Sequence, residues 1–276
     1  RSLSELEAAL GGRTGDLWRV GVAYGGPDPR LALRGTVPDG DEVAAIRKRL
    51  ASMDKRGAWT DRVLGAIRRH PGVPARVMAE ALDVQKDKLK PRVRRLGDLG
   101  LTLSLERGYR LSPRGAALFG SPNGLDVAPL RESPGDIPYV AHYYLEAWEA
   151  YYGPTGPGDA AADVRADAQD GLPMGFVATR VGEFAGVASL RAVSLPSHTQ
   201  LSPWLAGLLV LEGHRGHGVS DALVRAVERC ARDQGFPRLF VATAIDSRRM
   251  VERGWRPMDT APTLQGGVPV LALSLT

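Results

Sequence analysis

Apolar residues recur along the 276 positions in two rhythms, one near 3.6 residues and one of short unbroken runs. Together they predict alternating helices and strands. Residues 3–10 read as a short helix. Trp18 to Tyr24 and Arg30 to Arg34 read as strands around the turn Gly25-Gly26-Pro27-Asp28-Pro29, a hairpin with a glycine-proline loop. Asp41 to Met53 is helical, with Val43, Ile46 and Leu50 on one face; Arg47, Lys48 and Arg49 form either a solvated face or a binding patch. Thr60 is expected to cap a helix carrying Val63, Leu64 and Ile67 that ends before Pro71-Gly72. A short helix from Ala75 to Leu82 and the tight turn Asp83-Val84-Gln85 come next. A third helix, to about Leu99, turns Leu89, Val93 and Leu96 inward. Its start is set near Asp87, because Pro91 is tolerable only in a first turn. Leu101–Leu105 and Tyr109–Leu111 form a hairpin around Glu106-Arg107-Gly108.

Ser121-Pro122-Asn123-Gly124 reads as a linker. Beyond it are predicted a strand Val127–Arg131, an aromatic-rich helix Ile137–Tyr152 and a second helix Asp159–Asp170. Two strands follow, Gly175–Arg180 and Glu183–Ala192. The most informative stretch is Trp204 to Ala222. An apolar run, Leu205 to Leu211, is too short for a helix and suits a buried strand. A glycine-punctuated basic turn comes next, then an amphipathic helix carrying Leu223, Val224, Val227 and Ala231. Strand, glycine turn and helix make a phosphate-holding geometry, since unpaired N–H groups and the helix dipole point at one spot. A strand Arg238–Thr243, a short helix Ser247–Arg253 and strands around Trp255–Met258 and Val268–Leu275 complete the chain.

Charge changes this picture more than composition does. Residues 1–120 hold 23 Lys and Arg against 14 Asp and Glu, a net +9, while the remainder carries −4. A basic half joined to an acidic half points to a polyanionic partner for the first. The single cysteine, Cys230, excludes an internal disulfide and fits a reducing cytoplasm. No apolar run is long enough to cross a bilayer, no signal peptide is visible, and no metal-ligand spacing is present among five histidines and one cysteine. The chain opens on Arg1 rather than Met, as a trimmed or tagged start would.

The run Arg215-Gly216-His217-Gly218-Val219-Ser220 resembles the acyl-CoA pyrophosphate loop of the GNAT acyltransferases, written Q/R-x-x-G-x-G/A. Arg215 matches the first position and Gly218 the fourth. Ser220 stands where glycine or alanine is usual and would crowd the pyrophosphate. The order of elements from Val127 onward resembles the same family over about 150 residues. The resemblance implies a splayed central strand whose Leu208, Leu209 and Val210 backbone holds a pantetheine arm. It also implies a tyrosine acid on the late short helix, where this chain has Met250, leaving Ser247 to relay a proton through water or simply to cap the helix beside Asp246. Glu212 and His198 are candidate bases for the acceptor amine. Trp148, Tyr151 and Trp204 are candidate walls of the acceptor pocket.

The three helices and hairpin of residues 59–120 resemble a winged helix-turn-helix domain. In such domains the third helix enters a duplex groove. Here it carries Lys86, Lys88, Lys90, Arg92, Arg94 and Arg95, with Arg107 and Arg110 on the wing. The expected architecture is α/β (α+β): an extension over 1–58, a basic winged-helix domain over 59–120, and a GNAT acyltransferase domain with a central mixed sheet over 125–276.

Three functions remain open. The first is an N-acyltransferase moving an acyl group from acetyl-CoA or another acyl-CoA to a small-molecule amine. The second takes an aminoacyl-tRNA as donor, held by the basic half. The third is a DNA-binding regulator with a GNAT-like sensor half.

Overall fold

The computed structural model describes residues 28, 30–119, 124–243, 247–263 and 266–276. The predicted helix at 3–10, the strand Trp18–Tyr24, most of the turn that follows it, most of the 121–124 linker and Asp246 lie outside the described residues. Arg30 to Gly35 is helical (α1), not a strand. Leu31 and Leu33 imitate a period of two, yet Leu, Ala and Arg are strong helix formers. Asp28 nucleates the turn, accepting the Arg30 N–H on its carboxylate at 3.0 Å and the Leu31 N–H on its carbonyl at 2.8 Å.

Helix α2 spans Gly40–Met53, with the Asp39 side chain capping the Glu42 N–H at 2.9 Å. Helix α3 spans Thr60–Arg69. Thr60 is its first residue rather than its cap. The capping acceptor is Asp54, which takes the Trp59 and Thr60 N–H groups and the Thr60 hydroxyl at 2.9, 3.1 and 2.6 Å. Helix α4 is Ala75–Ala81 and α5 is Lys86–Asp98. Pro91 therefore sits in the second turn of α5, past the first turn expected for it. The two-stranded hairpin pairs β1 (Thr102–Ser104) with β2 (Tyr109–Leu111), and α6 (Pro113–Ala116) packs back on α1.

The remaining strands form one seven-stranded sheet: β3 Leu125–Pro129, β4 Met174–Arg180, β5 Glu183–Arg191, β6 Trp204–Val210, β7 Arg238–Ala242, β8 Arg256–Thr263 and β9 Gly266–Ser274. Their order is β3-β4-β5-β6-β7-β9-β8, and every pairing is antiparallel except β6 with β7. The mixed α/β sheet expected from the sequence is present. The predicted helix 137–152 is broken at Trp148 (φ −131°, ψ 51°) into α7 Ile137–Ala147 and α8 Glu149–Tyr152. Helix α9 is Ala160–Asp167, capped by Asp159; α10 is Val219–Asp233 and α11 is Ser247–Glu252.

The two halves share one apolar cluster. Ile67, Val77 and Met78 from α3 and α4 are buried with Tyr139, Val140 and Tyr143 of α7 and Phe184 of β5. A polar knot lies inside it. The His70 ring stacks on Tyr139 at 3.7 Å, its Nε2 meets Asp136 at 2.9 Å, and Asp136 also accepts two bonds from the Arg69 guanidinium. This knot fixes α7, and with it the floor beneath β6, to the N-terminal half.

Candidate active site

Strand β6 pairs with β7 only at Trp204 and Leu205. Beyond Leu205 it leaves β7, and the cause is local. Facing β5, Val187 opposes Leu209 and Ser189 opposes Ala206, so β6 carries an extra residue in between. Gly207 takes a left-handed conformation there (φ +59°), a bulge that re-aims the strand. A Cβ at Gly207 would overlap the Tyr144 hydroxyl. That hydroxyl donates to the Gly207 carbonyl at 3.1 Å and so props the bulge from below. Leu208, Leu209 and Val210 are half-buried on this departing segment. Their backbone edge toward β7 has no strand partner among the described residues.

The segment ends in a short turn, Glu212–His214, and then Arg215 to Gly218. Gly216 and Gly218 both have positive φ (76° and 78°), a conformation costly for any residue with a Cβ. Beyond the adjoining residues, no described atom lies within 4 Å of where a Cβ would stand at either. The space above the turn is open, a cradle that side chains there would fill. Gly218 caps α10 without a side chain, and the first bond into the helix is from the Ala222 N–H to the Gly218 carbonyl at 3.0 Å. The preceding N–H groups of the first turn therefore point outward without acceptors among the described residues. Arg215 and His217 are exposed beside them, Val219 is buried as an anchor, and Ser220 is half-buried. Asp221, the one carboxylate in this first turn, is held by Arg253 at 2.8 Å. The chemistry of this donor set suits a phosphate or pyrophosphate.

The acid–base candidates are scattered. Glu212 is exposed just past the C-terminal end of β6, and Ser247 starts α11 half-buried. Met250 is buried in the apolar cluster under α10, so the tyrosine of the family pattern has no counterpart at that position. His198 is 6% exposed and packs edge-on against Trp204. Its Nδ1 meets the Ser197 hydroxyl at 2.9 Å and its Nε2 meets Asp259 at 3.1 Å. Trp204 is not a pocket wall. It is fully buried between His198 and Phe240, with its indole N–H on the Leu201 carbonyl at 2.7 Å. An aromatic at the first position of a central strand serves the core. Trp148 is half-buried against Tyr144, and Tyr151 is exposed, edge-on to Tyr152.

Sequence reasoning missed the support beneath the bulge. Asp167 is buried, accepts the Ser189 hydroxyl at 2.6 Å and pairs with Arg191 at 2.7 Å. Burial raises its carboxyl above the ordinary 3.8 despite Arg191. Burial also pushes the Tyr144 phenol well above its usual range, so it acts as a neutral donor. A glycine inside an apolar strand is the available signal for such a bulge. The partners of Tyr144 and Asp167 lie 63 and 22 residues away, beyond any local pattern.

The basic residues divide. Lys86, Lys88, Lys90, Arg94 and Arg95 are exposed on α5, but the Arg95 and Arg92 guanidinium groups lie over the Trp59 ring. The hairpin arginines are exposed too, but both turn toward the C-terminal half. Arg107 pairs with Glu146 of α7, and Arg110 faces a cleft toward β5. The β1–β2 hairpin lies beside the C-terminal half, where Arg107 meets Glu146 and Leu105 and Arg110 share a cleft with Val181 and Glu183. Among the described residues no helix is long and apolar enough to cross a membrane, and no cluster of His, Cys, Asp or Glu could hold a metal.

Residues 139–254 match the model of the acetyltransferase (GNAT) family. The C-terminal half carries a GNAT acetyltransferase domain. No curated protein matches the chain. Among solved structures, the chain is similar to an aminoglycoside 6'-N-acetyltransferase complexed with coenzyme A (11% identical, covering 55% of this chain and 97% of that one, TM-score 0.45). It is also similar to aminoglycoside 6'-acetyltransferase type Ii (15%, 55% and 97%, TM-score 0.44). A third is an N-acetyltransferase from Staphylococcus aureus Mu50 (16%, 56% and 100%, TM-score 0.45). In the GNAT domain of this chain, the matched span runs from α7 through α11 and includes the bulged strand and the glycine turn.

Proposed function

We propose that the protein is an N-acyltransferase that takes its acyl group from acyl-CoA, acetyl-CoA being the simplest donor, and places it on a small-molecule amine. The observation that carries this reading is the end of β6: an unpartnered strand edge leading into a turn with two left-handed glycines and outward N–H groups. The edge offers strand-like bonds to an amide-bearing arm, and the turn with Arg215 offers a seat for its phosphates. The donor supplies an activated thioester carbonyl. The acceptor nitrogen attacks that carbonyl, and its N–H proton must leave as the C–S bond breaks and sulfur takes up a proton. Of the three acid–base candidates, His198 fits the base best. Ser197 can pass a proton to its Nδ1, and Asp259 on Nε2 would stabilise the imidazolium.

An aminoacyl-tRNA donor and a DNA-binding regulator draw less support, since the family match falls on residues 139–254 alone and Arg107 is paired with Glu146. Lys86, Lys88, Lys90, Arg94 and Arg95 are the exposed basic residues of α5. Titration of the full chain with acetyl-CoA tests the proposal. Arg215→Ala should weaken binding about tenfold, the worth of one charge-assisted contact. Gly218→Val should abolish it through strain and occupation of the phosphate space. Unchanged affinity in Arg215→Ala would place the donor elsewhere.

A further inference from the structure

A cavity of about 510 Å³ opens between the N-terminal half and the GNAT domain, lined by none of the residues of the turn at Arg215. One wall is α3 and the β1–β2 hairpin, with Ile67, Arg68, Leu105 and Arg110; the other is the β4–β5 turn, with Val181 and Glu183. Its size is that of a small-molecule site, and such sites favour junctions between folded units. Three features suggest an occupant. Leu105 and Val181 are 40% and 50% exposed, two of the few large apolar side chains left in solvent, and both line this cleft. Val181 is held at φ +53°, a left-handed conformation that a β-branched residue rarely adopts. The Arg68 guanidinium lies over the Phe119 ring at 4.8 Å, and neither it nor Arg110 forms an ion pair within 4 Å among the described residues, while Glu183, on which both arginines act, is the single carboxylate of the lining. The cleft is thus apolar in body and net positive at its polar end.

We infer that this cleft binds a small carboxylate with an apolar body, its anionic end on Arg68 and Arg110 and its hydrocarbon between Leu105 and Val181. The site is tied to the donor turn. Glu183 faces His214 Nε2 at 3.5 Å, while His214 Nδ1 accepts from Arg180 Nε at 3.1 Å. His214 immediately precedes Arg215. Charge arriving beside Glu183 therefore reaches the residue that sets the start of the phosphate turn. This linkage, unlike the binding itself, rests on the acyl-CoA reading.

The test is calorimetric titration of the full chain with hexanoate, with hexanol and hexylamine as isosteres lacking the anion. Hexanoate should bind saturably at millimolar concentration or below, and hexanol and hexylamine should bind at least about tenfold more weakly. The double variant Arg68→Gln, Arg110→Gln should lose hexanoate binding. If that variant does not fold, Leu105→Trp decides, because it fills the cleft from an exposed position and should block binding while leaving the fold intact. Absence of saturable hexanoate binding, equal affinity for hexanol, or unchanged binding in these variants would overturn the site. Hexanoate should also shift the apparent affinity for acetyl-CoA. Failure of acetyl-CoA to bind at all would count against the donor assignment and leave the hexanoate titration as the measure of this one.

Discussion

At the scale of single residues, two backbone positions hold conformations that their neighbours impose. Val181 and Gly182 form a two-residue turn with both φ positive (53° and 79°), closing the pair Arg180–Glu183. Such a turn prefers Asn-Gly, because Asn tolerates the left-handed region and Val does not. Val181→Asn should therefore raise stability by about 1 kcal/mol in urea denaturation, even as it removes an apolar wall of the inferred cleft. Unchanged or lower stability would show that Val181 gains from packing what it loses in strain. Gly207 is the opposite case. Its φ of +59° and the Tyr144 hydroxyl directly beneath it exclude a side chain. Gly207→Ala should cost about 2 kcal/mol, from strain and from displacing a buried ring, and should weaken acetyl-CoA binding by flattening the bulge. Loss of stability with undiminished donor affinity would mean that the bulge serves folding only.

Between elements, what periodicity can express was legible and what it cannot was not. The strand, turn and helix around Arg215 could be read from Leu205–Leu211 and the spacing of Leu223, Val224 and Val227, because burial on one face leaves a regular trace. The break at Trp148 left none: Tyr143, Tyr144 and Trp148 keep helical spacing across a joint that tertiary packing imposes. Arg30–Arg34 reads as a strand because two leucines two apart satisfy either period. The candidate site was legible where a motif is contiguous and illegible where it is assembled from distant elements, as in the contact of Asp167 on α9 with Ser189 and Arg191 on β5. That contact makes a prediction. Arg191→Met leaves a buried carboxyl without its counter-charge and should cost about 3 kcal/mol at neutral pH. The deficit should shrink as pH falls. A carboxyl whose folded pKa is raised takes up protons in the fold before the unfolded chain does, so acid favours the folded form. A deficit independent of pH would mean that Asp167 is not the group left exposed to the loss.

Across the whole molecule, the knot of Arg69, His70 and Asp136 governs how the two halves respond to pH. Burial lowers His70 below its ordinary 6.5, outweighing the neighbouring Asp136. It therefore stays neutral in the fold, with Nε2–H donating to Asp136 and Nδ1 facing the Tyr143 hydroxyl at 3.3 Å. Burial works to raise Asp136, yet the hydrogen bonds from His70 and Arg69 bring it below 3.8. Both shifts act in one direction. As pH falls below 6.5 the unfolded chain protonates the histidine and the folded chain resists, so stability declines. Asp136 adds its own decline as pH drops through its depressed folded value, since its contribution is present only above it. Urea denaturation at neutral pH and near pH 5.5 should thus show wild-type stability falling with acid. His70→Gln keeps an N–H donor for Asp136 but cannot titrate, so it should start lower and fall less over the same interval. Equal slopes would remove His70 as the titrating group. Asp136→Asn should be worse than either at neutral pH, by about 3 kcal/mol, because it strips the Arg69 guanidinium of its partner at the seam. The joint that holds α7 beneath β6 is then the weakest under acid, and acetyl-CoA binding should fail in that variant at a higher pH than in wild type.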